Sequence, residues 1–287
     1  MSKAYVGAYW GARAASVDDC ADTLAQLLDR LSAIDPLLTG WRDLGKSKQN
    51  ALQQLIVRND RTELLQHLER SRSEPPIDGL GYSLQRWNGA EDPRAAINLS
   101  FICGNTSGRV TNAVVTRLCD SQSAPGLYAI NTAKRLVESL IGVSNPDWAV
   151  LTTNELVDKQ SEPPQQLENG GYKVGQLIGH PAGWATYLGA ADSVRFNPAL
   201  LPDDATVDDV GSGVLVVLGG EPNSPRLNDV LAVRTSMGYD VPADAYDTAE
   251  SGTAEREEPS VERGALSRPS GQSQGPGDSE GSARPAT

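Results

Sequence analysis

The chain is 287 residues long, 39% hydrophobic and 22% charged, with 25 Lys and Arg against 37 Asp and Glu for a formal charge of -12. That balance excludes direct binding to DNA or RNA, whose affinity rests on basic side chains that displace counterions, and it favours a cationic protein partner. No segment nears the roughly 18 apolar residues of a membrane span, and the first residues lack a basic stretch followed by an apolar run, so a cytoplasmic protein without membrane contact is expected.

Ala4 to Trp10 is aromatic and β-branched with small residues between, and Gly11 ends it, which predicts an N-terminal strand. Ser16-Val17-Asp18-Asp19 resembles a capping box with Asp in place of Glu, so a helix opens there. Leu24, Leu27, Leu28, Leu31 and Ile34 then recur at spacings of three and four as one apolar stripe, until Asp35-Pro36 stops it. Leu52, Leu55 and Ile56, then Leu64, Leu65 and Leu68, predict two short helices with apolar faces. Glu74-Pro75-Pro76 and Asp78-Gly79 break that pattern. Tyr82, Leu84 and Trp87, followed by Ile97, Leu99, Phe101 and Cys103, predict paired strands, and Asn112 to Cys119 continues an antiparallel meander.

Asn131 is a candidate cap for a helix with Ala133, Leu136, Val137, Leu140 and Ile141 on one face, ended by Gly142 to Pro146. A strand over Asp147 to Thr152, a polar loop from Asp158 to Gly171 and a strand over Gly183 to Leu188 follow. Gly213 to Gly219 reads as a strand buried on both faces, and a short helix runs from Asn228 to about Thr235. From Gly238 onward Pro, Ser, Gly, Glu and Arg replace the aliphatics, and too little apolar surface remains to offset about 1 to 2 kcal/mol of ordering cost per residue. The expectation is an α+β body over 1–237, a mostly antiparallel sheet packed against helices, with a disordered polar tail over 238–287.

Chemistry-bearing patterns are sparse. Cys20, Cys103 and Cys119 are odd in number and lack CxxC spacing, which predicts small buried thiols in a reducing compartment rather than disulfides or zinc ligands. His67 and His180 are the two histidines; neither lies in an HExxH or HxH spacing, and a structural role is the expectation for both. No serine sits in GxSxG, with Ser107 read as a hairpin residue, and no glycine run forms a phosphate cradle. Adjacent acids such as Asp203-Asp204 lack the alternating ligands of a calcium loop. No catalytic residue, metal or cofactor is therefore predicted, although carboxylates distant in sequence can still converge in space.

Several segments together resemble the immunity protein 52 family of bacterial polymorphic-toxin immunity proteins. They are Gly7-Ala8-Tyr9-Trp10-Gly11, Asp19-Cys20-Ala21, Ile34-Asp35-Pro36-Leu37-Leu38 with Trp41, and Gly45-Lys46-Ser47. Farther on come Tyr82 to Gly89, Pro146-Asp147-Trp148-Ala149-Val150 and Gly183 to Leu188. The resemblance reaches about Gly219 and leaves out the tail. It implies a non-enzymatic α+β antitoxin encoded beside its toxin, often a restriction-endonuclease-like nuclease delivered by contact-dependent or type VI secretion. Inhibition would be by occlusion of the toxin, with no reaction performed. An adaptor or chaperone of a secreted effector is the alternative, and a small hydrolase a more distant one.

Within that frame Gly7, Tyr9, Trp10, Gly11, Trp148, Gly183 and Trp184 are expected to define the fold, since strand aromatics are more often core than interface. The toxin-binding residues are expected among the acids Asp203, Asp204, Asp208, Asp209 and Glu221, read as loop residues that steer a cationic toxin.

Overall fold

Ser16 accepts a hydrogen bond from the Asp19 amide, and Asp19 returns one to the Ser16 amide, so the predicted capping box closes and launches the first long helix. The computed structural model describes residues 3–72, 77–162, 165–168, 170–173 and 175–239. The tail expected over 238–287 lies outside these residues except for Gly238 and Tyr239.

In chain order the elements begin with β1 (Ala4–Trp10), α1 (Val17–Ser32), β2 (Arg42–Asp43), α2 (Lys48–Gln53), α3 (Arg61–Arg70), β3 (Tyr82–Trp87), β4 (Asn98–Cys103) and β5 (Asn112–Arg117). They continue with α4 (Ile130–Ser144), β6 (Trp148–Thr153), α5 (Asn154–Asp158), β7 (Gln165–Gln166), β8 (Tyr172–Lys173) and β9 (Ala185–Leu188). Last come α6 (Ala190–Ser193), β10 (Thr206–Val210), β11 (Gly213–Val217) and α7 (Leu227–Ser236). Nine of the strands form one sheet in the order β10-β11-β9-β6-β1-β5-β4-β3-β2, and each neighbouring pair is antiparallel. Strands β7 and β8 make a separate hairpin, β7 inside the segment expected to be a loop and β8 just past its end at Gly171. The architecture is α+β, as the sequence predicts.

Strand alternation sorts the sheet into two unlike faces. On one, Ala4, Val6, Ala8 and Trp10 of β1 are buried beside Leu99 and Phe101 of β4, Val114 of β5, and Ala149 and Leu151 of β6. Helix α4 rests on β1 and β6, α3 on β3, and α1 packs against both α3 and α4. The α1 stripe Leu24, Leu27, Leu28 and Leu31 is buried in this core, each side chain contributing about 1.5 to 3 kcal/mol. All three cysteines are buried and unbridged.

Among the described residues, the opposite face is covered over half its width only. Val150 and Thr152 of β6, Thr186 and Leu188 of β9 and Val216 of β11 are buried on it. The chain at 178–182 lies across them: Thr152 Oγ1 donates to the Ala182 carbonyl at 3.3 Å, and the Gln160 amide bonds both backbone groups of Ala182. Arg234 of α7 donates to the carbonyls of Ile178 and His180 at 2.7 and 3.0 Å, holding the same segment from the far side.

Local expectations differ from the structure in four places. Asn131 is the second residue of α4 and is exposed, because the helix starts at Ile130 straight after a 3-10 turn and has no side-chain cap. That helix passes through Gly142 to Ser144 and ends on Asn145 in the left-handed region, φ 43°. Leu55 and Ile56 face solvent, Leu55 being 88% exposed, because Gln54 leaves helical backbone and Ile56 bridges to Arg42 as extended chain; Val57 turns inward instead. Asp208 and Asp209 stand on the edge strand β10, not in a loop. Among the described residues no helix is long and apolar enough to cross a membrane.

Gly183 marks where the covering segment enters β9. A Cβ there would overlap the Leu151 carbonyl oxygen and sit 2.7 Å from Thr152 Cβ, so backbone must move. Gly183→Ala is expected to cost about 1 to 3 kcal/mol in urea unfolding. At Gly126 the nearest atom is Asp35 Oδ2 at 3.8 Å, and Gly126→Ala should stay within about 0.5 kcal/mol of the parent.

Candidate interaction surface

The uncovered half of the sheet presents a floor that follows from register. Tyr5 of β1 pairs with Arg117 of β5, which pairs with Asn98 of β4. The next row is Gly7, Val115, Ser100 and Gln85, and the third is Tyr9, Ala113, Ile102 and Ser83. A hollow of about 500 Å³ opens over the first two rows, lined by Tyr5, Tyr9, Gln85, Asn98, Ser100, Val115 and Arg117 together with Leu44, Arg86, Leu99 and Asn154.

Gly7 shapes this hollow. With no side chain of its own, it lets the Tyr9 ring fold back across the strand, to where a Gly7 Cβ would lie 2.7 Å from Tyr9 Cζ. The other face of that ring stacks on Trp148, its cross-strand partner, with centroids 4.0 Å apart and planes 13° from parallel. Trp148 stacks in turn on His180 at 4.8 Å, and His180 meets Tyr239 edge-on at 6.2 Å. A continuous aromatic row thus walls the hollow from the covered half of the sheet.

Burial and charge tune these groups. Burial pushes the Tyr5 phenol up to about 12, with Arg117 pulling the other way. The Tyr9 phenol is raised by burial and then by Tyr5, again against Arg117. Both hydroxyls therefore stay protonated and can donate hydrogen bonds near neutral pH. The His180 imidazole is pushed down, mainly by burial, although Asp192 Oδ2 lies 3.3 Å from its Nε2. His67 is also lowered by burial and then by Arg86, against Asp43 and Glu63.

The residues expected to define the fold divide between the two faces. Trp10 and Trp184 are core, and Trp184 Nε1 donates to the Gly220 carbonyl at 3.3 Å. Tyr9 and Trp148 are half-exposed members of the aromatic row. Gly11 donates its amide to Asp147 Oδ2 at 2.7 Å and accepts from Asn112 Nδ2, tying β1 to the ends of β5 and β6.

The five acids do not form one patch. Asp208 turns to the helical face and pairs with Lys134 of α4 at 2.8 Å, while alternation sends Asp209 to the other face. Asp204 pairs with Arg226 at 3.1 Å. Asp203 and Asp209 are exposed, and Glu221 is exposed beside a separate hollow with Lys3 and Lys159. Sequence reasoning missed Tyr5 and Arg117. The signal was there: Tyr5, Gly7 and Tyr9 share one face of a strand, and Arg117 closes an otherwise apolar run.

Among the described residues no three His, Cys, Asp or Glu side chains gather as a metal site. A family model described as Immunity protein 52 matches residues 2–225. No curated protein matches the chain in sequence. Among solved structures, a Pseudomonas aeruginosa T6SS protein, PA0821, has 10% identity and a TM-score of 0.48 over 83% of this chain and 73% of that one.

Both imidazoles have native pKa values below the unfolded value of about 6.5, so folding favours their neutral forms. The stability they contribute is complete above about pH 6.5 and is lost as pH falls through the native values. His180→Gln should flatten the decline in urea midpoint between about pH 7 and pH 5; an unaltered slope would mean that His180 is not held neutral by its stack.

Proposed function

We propose that this chain, which belongs to the immunity protein 52 family, neutralises its cognate toxin by stoichiometric occlusion and performs no reaction. The observation that carries the reading is the extent of the match, residues 2–225, which takes in every strand of the nine-stranded sheet. Both histidines are engaged within the fold, His180 in the aromatic row and beside Asp192, His67 beside Asp43 and Glu63.

In this reading the toxin is a nuclease domain that reaches the cytoplasm through a type VI or contact-dependent system, and the immunity protein covers the surface that approaches nucleic acid. The formal charge of -12 supports a partner of that kind, because a protein that grips phosphates carries a basic surface. Opposite fields raise association rates by roughly 10 to 1,000-fold at low salt. Asp203, Asp209 and Glu221 carry the exposed share of that field at the β10 end, and Asp204 and Asp208 a share reduced by their cationic partners.

Reversing Asp203, Asp204, Asp208, Asp209 and Glu221 to Lys is expected to slow association with the toxin encoded beside this chain by about 10-fold or more at low salt, the difference shrinking as salt rises. An unchanged rate and salt dependence would reject steering by these acids. Co-expression should rescue growth from the toxin; a rise in secreted effector without rescue would make the chain an adaptor.

A further inference from the structure

The uncovered half of the sheet exposes an arginine among hydrogen-bond donors. Arg61, Arg86, Arg94, Arg195 and Arg226 each meet a carboxylate. Arg117 is exposed in the middle of its row and, among the described residues, pairs with none. Around it converge groups that can donate to an oxygen anion: the Tyr5 and Tyr9 hydroxyls, the Ser100 hydroxyl and the Asn98 and Gln85 amides. Both phenols are protonated near neutral pH, as an ordinary tyrosine is, and burial raises them further. Val115, Leu99 and Leu44 add apolar lining.

We propose that the Tyr5–Tyr9–Arg117 hollow is the anchor site for an Asp or Glu side chain of the cognate toxin, an inference that rests on the immunity reading. A guanidinium fork holds a carboxylate through two parallel hydrogen bonds, and it is strongest where neighbouring groups exclude water. Tyr and Arg are the residues in which interface energy concentrates, in pockets that a partner side chain fills and dries. A hollow of about 500 Å³ takes one acidic side chain and the backbone that carries it.

Charge makes the site selective. The chain as a whole carries a formal charge of -12 and repels a free acid or an acidic protein, so a carboxylate reaches Arg117 only when mounted on a partner that is basic around it. The acids outside the hollow then govern how fast the complex forms, and Arg117 governs how long it lasts.

The test is binding kinetics of the full-length chain with the toxin domain encoded beside it. Arg117→Glu is expected to weaken binding by about 100-fold, nearly all of it through faster dissociation. Its thermal midpoint should stay close to the parent's, since among the described residues Arg117 makes no ion pair to lose. Arg117→Lys keeps the charge without the fork and should fall between, and Ser100→Trp, which fills the hollow, should weaken binding without altering charge. A single Asp-to-Lys or Glu-to-Lys change in the toxin should restore binding to Arg117→Glu.

If the parent binds the toxin and Arg117→Glu binds it within about 2-fold, the hollow is not the anchor although the immunity reading stands. If Arg117→Glu fails and no acidic position of the toxin restores it, the anchor is not a carboxylate. If the parent itself does not bind the toxin, the immunity reading and this inference fall together.

Discussion

Strand β1 is hydrogen-bonded on both sides, to β5 and to β6, so none of its side chains can escape to an edge and each is committed to one face of the sheet. Its residues make that commitment unequal. Ala4, Val6 and Ala8 are small enough for α4 to lie close against the strand, and Trp10 fills the end of the same face. Tyr5, Gly7 and Tyr9 face the other way, too large or too small to make a flat apolar layer. A one-residue slip of register would exchange the two sets, placing tyrosines under α4 and alanines at the surface. The core, the hollow and the aromatic row therefore share one cause, the period-two order of seven residues at the centre of the sheet.

The charge on the chain is arranged with less focus than its total suggests. Many acids are consumed inside the fold: Asp43 holds the buried Arg86, Asp18 and Asp22 share Arg61, and Asp208 meets Lys134. The exposed pairs among them, those of Arg61 and Lys134, contribute little to stability. Their larger effect is on the field, since each pair removes a charge from long-range attraction. What remains is a diffuse negative body suited to drawing in a basic partner from several directions. Final orientation must then come from contacts at short range, which is the property of the Arg117 hollow and not of the acidic strand edge.

Most of the architecture was legible because it is written in local pattern. The heptad-like leucines of α1 and the capping residues before them specify a helix with one buried face, β1 announces itself as an aromatic run with small residues between, ended by Gly11, and β11 as a valine-rich run between glycines. Where local pattern misled, tertiary pairing had overridden it. Leu52, Leu55 and Ile56 have helical spacing, yet the bridge from Arg42 to Ile56 draws the chain into extended form before the stripe is complete. Thr206 to Val210 carries two acids and reads as loop, yet the free edge of β11 gives it a ladder to join. The hollow was harder still, because its members come from β1, β3, β4 and β5, and their meeting is a matter of register between strands distant in sequence. Only the shared parity of Tyr5, Gly7 and Tyr9 was visible in advance.

Occlusion demands a surface that does not have to be ordered at the moment of binding, because each rotamer-rich side chain immobilised there costs about 0.5 to 1.5 kcal/mol of affinity. The aromatic row meets that demand through a chain of restraints. Gln160 clamps the backbone of Ala182, and Arg234 grips the carbonyls of Ile178 and His180. His180 is thereby set against Trp148, and Trp148 against Tyr9, each such stack adding about 0.5 to 1.5 kcal/mol. Tyr9 has nowhere else to go, since its ring already occupies the space above Gly7. The buried Arg234, whose charge is met by two carbonyls and by the Tyr239 ring 5.3 Å away, thus has its effect far from its own position. It keeps the wall of the hollow rigid, so that the binding energy of an incoming side chain is not spent on building the site that receives it.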